Sequence, residues 1–427
     1  MLLLAPAVLT LLGAATATRL PHQASNSHGL AKRATLQIPP PMPAQWPSID
    51  QTNFITGNLL TDPLVQDALA YVQSVVPASL LNIPPSTFVS GATVKYNSDV
   101  NANCYWPYNL CVRTAAGNGY QADVYTCPQP GTWGISFDDG PTVDPVTHDD
   151  SAAIRAQLDK MNIKGTFFVV GSNVIQNPQI VLDEYNDGHQ IGVHTWTHHP
   201  LTACTNEQIV AEIKYAEAAI YNATGQVPNF FRPPYGDIDD RVRAIANALG
   251  YTVTIWSQDD LAADQDTTSA AIGQSLINSA TSTWFSNSSA SFVSLSHDIT
   301  PFTSSVILGI LQYVDANRAS IKLDIEPVGT CVNKPWFRSG AGGSPGGTNT
   351  GRTSSPTTAG LPYFASTQAA PVVTTTGSSP AAPPTYPTAL ALAPKSASHA
   401  PTRLLEPGHA SSILLLGLSL GLVICWL

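Results

Sequence analysis

The chain has 427 residues, 43% of them hydrophobic and only 11% charged, with a net charge of −10 at neutral pH. Its length allows one large core or two to three domains. The 19 lysines and arginines are outnumbered by 29 acidic residues, which excludes nucleic acid or another polyanion as the main ligand because too few cations could neutralise a run of phosphates.

The first 33 residues have the features of an export leader. Residues 1–17 are apolar and end in Ala15-Thr16-Ala17, the small-x-small pattern of a signal-peptidase site. Residues 18–33 end in the dibasic pair Lys32-Arg33, which predicts a short propeptide and a mature chain that begins at Ala34.

Two regions of different character follow. Residues 34–126 are rich in proline and asparagine, with one amphipathic stretch at Leu64–Val76, and predict an irregular N-terminal cap. In residues 127–331, helical patterns alternate with apolar runs of strand length: Trp133–Phe137, Gly165–Val170, Gln190–Val193, Phe230-Phe231, Tyr251–Trp256, Phe292–Ser296 and Ile321–Val328. This alternation predicts a parallel sheet, and seven units in roughly 200 residues indicate an incomplete barrel.

The C-terminal part predicts a stalk and an anchor signal. Residues 339–398 are rich in Ser, Thr and Pro, which is typical of an O-glycosylated stalk. Residues 399–427 end in 15 apolar-rich residues from Ile413, and with the small residues around Ser398 they predict a glycosylphosphatidylinositol (GPI) attachment signal at Ser398. The alternative is a tail-anchored helix, for which the run is short against a hydrocarbon core of about 30 Å.

Polar side chains follow two of the predicted strands at the point where each strand ends. Asp138-Asp139 follows the first strand, and His194 and His198 follow the third. Functional sites of parallel α/β folds form at such strand ends. The two histidines would meet on one face of a helical turn and, with Asp139, would form the ligand set of a catalytic zinc site. The alternatives are an ordinary Asp-Gly-Pro turn and a structural histidine pair.

Two further strand ends carry groups that a metal hydrolase needs. Arg232 follows Phe230-Phe231 and places a guanidinium within reach of the carboxylate pair. His297 ends the sixth strand beside Leu295, which suits a general acid next to a small acyl pocket. A salt-bridged surface turn and a structural histidine are the alternatives for these two positions.

As an ordered set, Ser136–Pro141, His194–His198, Arg232–Tyr235 and Leu295–His297 resemble the motifs of polysaccharide deacetylases with a NodB-like domain, in particular those of fungal chitin deacetylases. The resemblance implies a distorted (β/α) barrel with seven or eight strands. It also implies a hydrolase of linear amides that converts cell-wall chitin to chitosan and acetate.

The resemblance also implies a role for each residue of the site. Asp139, His194 and His198 would bind the metal, which is usually zinc, with cobalt as a common substitute. Catalysis falls to Asp138 as the base, Arg232 as its orienting partner, the backbone N–H of Tyr235 as an oxyanion donor and His297 as the acid. The substrate pocket would be lined by Leu295, Tyr235 and Trp256.

One stretch departs from the family pattern. The family has Asp-x-x-Asp-Trp after the fifth strand, whereas direct register places Ala262 and Ala263 at the second Asp and the Trp. In the family, the second Asp holds the residue that corresponds to His297, and the Trp forms a wall of the substrate pocket. Asp260 and Asp264 are the alternatives that a shifted loop would bring to the position of the missing Asp.

Five cysteines remain once the anchor signal is removed, and none forms a CxxC pair. Cys127 precedes the first strand and Cys331 follows the last, so we predict that they pair, as the resemblance also suggests. Cys104 and Cys111 would then pair locally and leave Cys204 free. Asn222 and Asn287 begin N-glycosylation sequons.

These features predict a secreted protein, held by its GPI anchor at the outer face of the plasma membrane and in the cell wall, with chitin or chitosan as its partner and no nucleic acid. They do not determine the oligomeric state, although a monomer is favoured. Two alternatives stay open. The first is an O-acetyl esterase acting on xylan or another wall glycan, and the second is a catalytically inactive wall mannoprotein that binds glycans.

Overall fold

A computed structural model describes residues 35–145 and 148–338. The predicted signal peptide, propeptide, stalk and anchor signal, including Ser398, lie outside these residues. Within these two ranges no helix has both the length and the apolar character that crossing a bilayer would require.

The helices and strands follow one another in a mostly alternating order. The α-helices are α1 (Pro63–Val75), α2 (Ala78–Leu81), α3 (Trp106–Asn109), α4 (Ala152–Lys160), α5 (Gly171–Gln176), α6 (Pro178–Asn186), α7 (Asn206–Thr224), α8 (Asp240–Ala248), α9 (Ala270–Trp284), α10 (Pro301–Ala316) and α11 (Val328–Cys331). The strands are β1 (Thr87–Ser90), β2 (Thr93–Lys95), β3 (Thr132–Asp138), β4 (Thr166–Val169), β5 (Gln190–Val193), β6 (Val227–Pro228), β7 (Phe230–Phe231), β8 (Thr252–Val253), β9 (Gln258–Asp259), β10 (Phe292–Leu295), β11 (Asp324–Pro327) and β12 (Phe337–Arg338). Short 3₁₀ turns lie at Gly57–Leu59, Leu201–Ala203 and Pro234–Gly236.

Eight strands form the central sheet, and the predicted parallel, incomplete barrel is confirmed. The strand order is β8-β7-β5-β4-β3-β10-β9, with β11 also paired to β3, and every pairing is parallel. Every residue of β3, β4, β5 and β10 is buried. Continuous apolar runs are what a parallel sheet covered on both faces requires.

The sheet forks at β3 and curls at its ends. Trp133 pairs with both β10 and β11, so these two strands lie on opposite edges of β3. Asp138 pairs with β4 on one side and bridges to His297, which follows β10, on the other. Since β10 occupies one edge of β3, β4 and β11 share the other edge. The terminal strands β8 and β9 are consecutive in the chain, and the residues between them include Trp256.

The region before the sheet is only partly irregular. The amphipathic stretch predicted at Leu64–Val76 forms α1, which is capped by the Asp62 side chain and packs on α7. Helix α7 begins with a capping box, in which the Thr205 and Gln208 side chains accept hydrogen bonds from each other's backbone N–H groups. Val124 hydrogen-bonds across the edge of β8, with its N–H 2.9 Å from the Val253 carbonyl oxygen.

The structure contains the two predicted disulfides, Cys104–Cys111 and Cys127–Cys331, and Cys204 is free and buried. Cys127 and Cys331 are 204 residues apart in sequence and lie beside Gly134 of β3. This bond therefore joins the segment that enters the sheet to the helix that follows its last central strand.

We expect Cys127→Ser/Cys331→Ser to lower the free energy of unfolding by 2 kcal/mol or more, with about 5 kcal/mol as the chain-entropy limit for so long a loop. Denaturant unfolding followed by fluorescence measures the change. The matched control is Cys204→Ala, which removes a buried sulfur but no cross-link. Equal stability losses in the two variants would contradict a stabilising role for the cross-link.

Candidate active site

The carboxyl ends of β3, β5, β7 and β10 meet at one end of the sheet and form a cleft. The backbone N–H of Asp138 donates to the Ser296 carbonyl at 3.0 Å, which brings the end of β3 against the end of β10. The side chains that line the cleft are Asp138, Asp139, His194, His198, Tyr235, Trp256, Leu295 and His297. The structure thus brings together the residues that the four sequence motifs single out.

Three of these side chains converge as a metal-ligand group. The Nε2 atoms of His194 and His198 lie 3.1 and 2.8 Å from Asp139 Oδ1. His194 Nδ1 lies 2.8 Å from the Arg232 carbonyl oxygen. Because a carbonyl only accepts, His194 donates from Nδ1, so in the neutral imidazole it is Nε2 that carries the lone pair for a metal. Two imidazole nitrogens and one carboxylate oxygen therefore fit a divalent transition metal.

The charge state of the group is set by burial and by its members. Burial by itself would raise the pKa of Asp139, but the adjacent His198 and His194 outweigh it and hold this pKa well below the usual range. Burial lowers the pKa of His194, and attraction to Asp138 and Asp139 more than reverses this effect. Asp139 is therefore an ionised carboxylate, as a metal ligand must be.

The backbone of the site is strained. Asp139, Thr195, His198 and Tyr235 have φ values of 77°, 66°, 58° and 58°, in the left-handed region that residues other than glycine rarely adopt. Residues 194–198 contain no helix. The prediction that His194 and His198 share a helical turn is therefore wrong, because left-handed residues turn the two imidazoles together instead.

A buried acid that the sequence did not reveal holds this loop. Glu212 of α7 accepts hydrogen bonds from the Trp196 and Thr197 N–H groups at 2.9 and 2.8 Å, and from Thr197 Oγ1 at 2.6 Å. Glu212 lies among the buried residues of α7. A carboxylate on the apolar face of a helix is the signal that could have identified it.

Arg232 holds Asp138 in place. Its Nη1 lies 2.7 Å from Asp138 Oδ1 and its Nη2 donates to Ser136 Oγ at 2.9 Å. Its guanidinium also lies over the Phe168 ring, 4.3 Å from the centroid. Asp138 Oδ2 is left facing the metal-ligand group, 3.8 Å from His194 Nε2.

His297 and Tyr235 lie on opposite sides of the same cleft. His297 Nε2 is 3.9 Å from Asp139 Oδ2, while His297 Nδ1 is buried and makes no hydrogen bond to the described residues. Tyr235 lies in the Pro234–Gly236 turn, and its hydroxyl is 3.1 Å from His198 Nδ1. Leu295 and Trp256 supply the apolar part of the wall.

The segment that departs from the family pattern lies beside the end of β10, where the Asp260 N–H donates to the Leu295 carbonyl oxygen at 3.3 Å. Ala262 is buried, and its N–H donates to Asp260 Oδ1 at 2.9 Å. Burial raises the pKa of Asp260, and attraction to His297 opposes this rise. Burial likewise raises the pKa of Asp259 to about 7. Asp260 is therefore within electrostatic reach of His297.

The predicted modification sites differ in what the structure says of them. Asn222 and Asn287 are both exposed, which an attached glycan requires, and their glycosylation stays a prediction. Ser398 lies outside the described residues, so its predicted lipidation is a matter of sequence alone.

Residues 126–254 match the family described as "Polysaccharide deacetylase". Chitin deacetylase 2 of Cryptococcus neoformans var. neoformans serotype D (strain B-3501A) is 39% identical over 223 residues, covering 50% of this chain and 46% of that protein. Chitin deacetylase of Amylomyces rouxii is 36% identical over 252 residues, covering 57% and 56%. The chain thus spans about half the length of the curated relatives it matches.

Among solved structures, the chitin deacetylase from the fungal pathogen Colletotrichum lindemuthianum matches with a TM-score of 0.46 and 22% identity. The match covers 51% of this chain and 95% of that one.

A buried carboxyl behind the cleft should make stability depend on pH. Burial raises the pKa of Glu184 well above its usual range, and the neighbouring Asp298 raises it further. A carboxyl whose pKa is raised on folding contributes stability below its unfolded pKa, and this contribution is lost as the pH rises through the folded value. We therefore expect Glu184→Gln to be more stable than the wild type at pH 8 and to lose less stability between pH 5 and pH 8.

Denaturant unfolding at these two pH values measures the effect. Asp183→Asn, at the half-exposed neighbouring position, is the matched control. A Glu184→Gln protein whose stability falls with pH as steeply as that of the wild type would contradict the assignment.

Proposed function

We propose that residues 127–331 form a polysaccharide deacetylase domain, as their similarity to that family suggests, and that this domain removes N-acetyl groups from cell-wall chitin to give chitosan and acetate. The observation that carries the proposal is the cleft in which Asp139, His194 and His198 converge beside Asp138 and His297. All positions needed to bind a metal, activate water and protonate a leaving amine are filled, which argues against an inactive glycan-binding protein.

The Asp139, His194 and His198 side chains would hold the metal, with zinc as the proposed ion and cobalt as a substitute. A bound divalent ion supplies Lewis acidity, which lowers the pKa of a water molecule and polarises the amide carbonyl. A donor set of two nitrogens and one oxygen is that of a catalytic zinc site, in which the water molecule or the amide carbonyl would take the remaining coordination position.

Asp138 is placed to act as the general base. Arg232 occupies its Oδ1, so only Oδ2 is available, and this oxygen faces the metal-ligand group. Oδ2 would take the proton from the attacking water. Because the guanidinium fixes the carboxylate, its lone pair does not have to be reoriented during the reaction.

His297 would serve as the general acid. An amide nitrogen cannot leave as an anion, so it must be protonated as the C–N bond breaks. His297 Nε2 points into the cleft near Asp139. The Tyr235 backbone N–H would stabilise the negative charge that develops on the carbonyl oxygen, while Leu295 and Trp256 would enclose the acetyl methyl group.

We also propose that the protein is exported and held at the cell surface. Two disulfides form in the described residues, and such bonds persist in oxidising compartments. The apolar leader and the C-terminal GPI signal that the sequence predicts agree with export, a place at the outer face of the plasma membrane and action on the cell wall.

We expect purified wild type to release acetate from soluble chitin oligomers, to lose this activity with a chelator and to regain it with zinc. Asp139→Ala, His194→Ala and His198→Ala should lose metal and activity together. Asp138→Asn should keep its metal and lose turnover by about 10²- to 10⁴-fold, the contribution of a general base. Metal analysis and acetate assays on the same samples measure both properties.

The control substrate is acetylxylan. Activity on acetylxylan with none on chitin oligomers would replace the proposal with an O-acetyl esterase. A folded but metal-free Asp138→Asn protein would reverse the roles assigned to the two adjacent carboxylates.

We further propose that Asp260, rather than a residue at the Ala262 position, acts on His297, through electrostatic attraction and without a hydrogen bond between them. Asp260→Asn should then lower kcat on chitin oligomers about 10- to 100-fold, as the loss of a group that orients a catalytic residue typically does. Asp264→Asn, in the same loop, is the matched control and should change kcat little. If Ala262→Asp raised kcat while Asp260→Asn left it unchanged, the direct register, which places Ala262 at the position of the missing Asp, would be correct instead.

A further inference from the structure

The disulfide-closed loop between Cys104 and Cys111 lies outside residues 126–254, which match the family, but it reaches the catalytic cleft. The short helix α3 within it carries Trp106, whose side chain is buried. The ring centroid of Trp106 is 4.4 Å from that of Trp256, at an interplanar angle of 57°. Trp256 itself lines the cleft, so Trp106 forms a second layer behind the wall.

The same indole also contacts a second part of the cleft wall, the turn that carries Tyr235. A Cβ at Gly236 would lie 2.3 Å from Trp106 Cε3, so the ring packs directly on the backbone of the Pro234–Gly236 turn. The backbone N–H of Trp106 donates to the Ile238 carbonyl oxygen at 3.2 Å, just beyond that turn. Tyr235, at the centre of the turn, is strained and must be held in place by its surroundings.

A buried arginine holds the loop in place. Arg243 of α8 donates from Nη1 to the Cys104 carbonyl at 2.6 Å and from Nη2 to the Cys111 carbonyl at 3.1 Å. Its Nε donates to both carboxylate oxygens of Asp123 at 3.0 Å. Both ends of the disulfide loop are thus fixed to α8, and Trp106 is presented to the cleft on a rigid support.

We propose that Trp106 is a positioning residue for the deacetylation reaction. It holds Trp256 in the position that keeps the cleft wide enough for an N-acetylated sugar. It also holds the Tyr235 backbone N–H at the position of the developing oxyanion. The inference rests on the proposed function and adds to it a residue from the N-terminal region. Arg232 Cζ also lies over the Trp256 ring, 5.7 Å from the ring centroid. A shift of Trp256 would therefore disturb Arg232, the ion-pair partner of Asp138.

The test compares Trp106→Ala and Trp106→Phe with the wild type on one soluble chitin oligomer. We expect Trp106→Ala to lower kcat by on the order of tenfold or more, since a misplacement of about 1 Å can cost a hundredfold. Its KM should rise about two- to tenfold as the aromatic wall loosens. Trp106→Phe should restore most of both losses, and the metal content should match that of the wild type in every variant.

Binding supplies a readout apart from turnover. In the Asp138→Asn background, adding Trp106→Ala should weaken oligomer binding, measured by calorimetry, by a factor similar to the rise in KM. Cys104→Ser/Cys111→Ser, which loosens the loop without touching the indole, should move kcat in the same direction by a smaller factor.

The matched control is Trp284→Ala, which removes another buried indole, packed on Trp133 and Phe292 at the opposite end of the strands. It should lower the thermal midpoint while leaving kcat and KM unchanged below the transition. Wild-type kinetics and binding in a folded Trp106→Ala protein would overturn the inference alone. A metal-loaded wild type that neither binds nor hydrolyses chitin oligomers would overturn the proposed function, and the inference with it.

Discussion

The buried ion pair between Arg232 and Asp138 is the interaction on which the site depends. Arg232 is fully buried, and burial lowers its pKa despite the opposing attraction of Asp138. Its side chain fixes the end of β3, while its carbonyl oxygen fixes the tautomer of His194 beyond β5. Loss of either partner would leave an unpaired buried charge, which typically costs about 3–5 kcal/mol. One residue thus sets the orientation of the proposed base, Asp138, and the tautomer of His194, a proposed metal ligand.

The strained loops show how the fold accommodates this chemistry. Left-handed backbone suits glycine, but Asp139, His198 and Tyr235 occupy such positions because their side chains face the cleft. Each such residue costs on the order of 1–3 kcal/mol unless its surroundings enforce it. Glu212 provides that enforcement for the loop between the two histidines, since its carboxylate satisfies two consecutive backbone N–H groups that the loop leaves without a helical partner.

Much of the sheet was predictable from the sequence because fully buried parallel strands are continuous apolar runs. Gln190–Val193 and Phe230–Phe231 were predicted at their observed bounds. In contrast, β9 (Gln258–Asp259) and α9 (Ala270–Trp284) were missed. The first is two polar residues long, and the second buries few of its side chains, so neither produces a clear hydrophobic period.

The residues of the cleft were predictable where chemistry is concentrated in short motifs, as at Asp138-Asp139. Residues that act from a distance in sequence were not. Glu212 and Trp106 reach the site through α7 and through a disulfide loop. The carboxylate on the apolar face of α7 signals that Glu212 is buried but not which loop it contacts, and no local pattern marks the contact of Trp106. The helical geometry expected for His194 and His198 failed because spacing alone does not specify backbone conformation.

The hydrogen bonds of Val124 have a consequence for where the domain can be cut. Val124 pairs in parallel with Thr254 and so continues the sheet beyond β8. Its carbonyl oxygen accepts a hydrogen bond from the Ile255 N–H at 2.7 Å, and its own N–H donates to the Val253 carbonyl oxygen. An uncovered strand edge is a template for pairing with another chain. A fragment that began at Cys127 would lack this pairing, and the edge of β8 would be open to a second copy of the fragment.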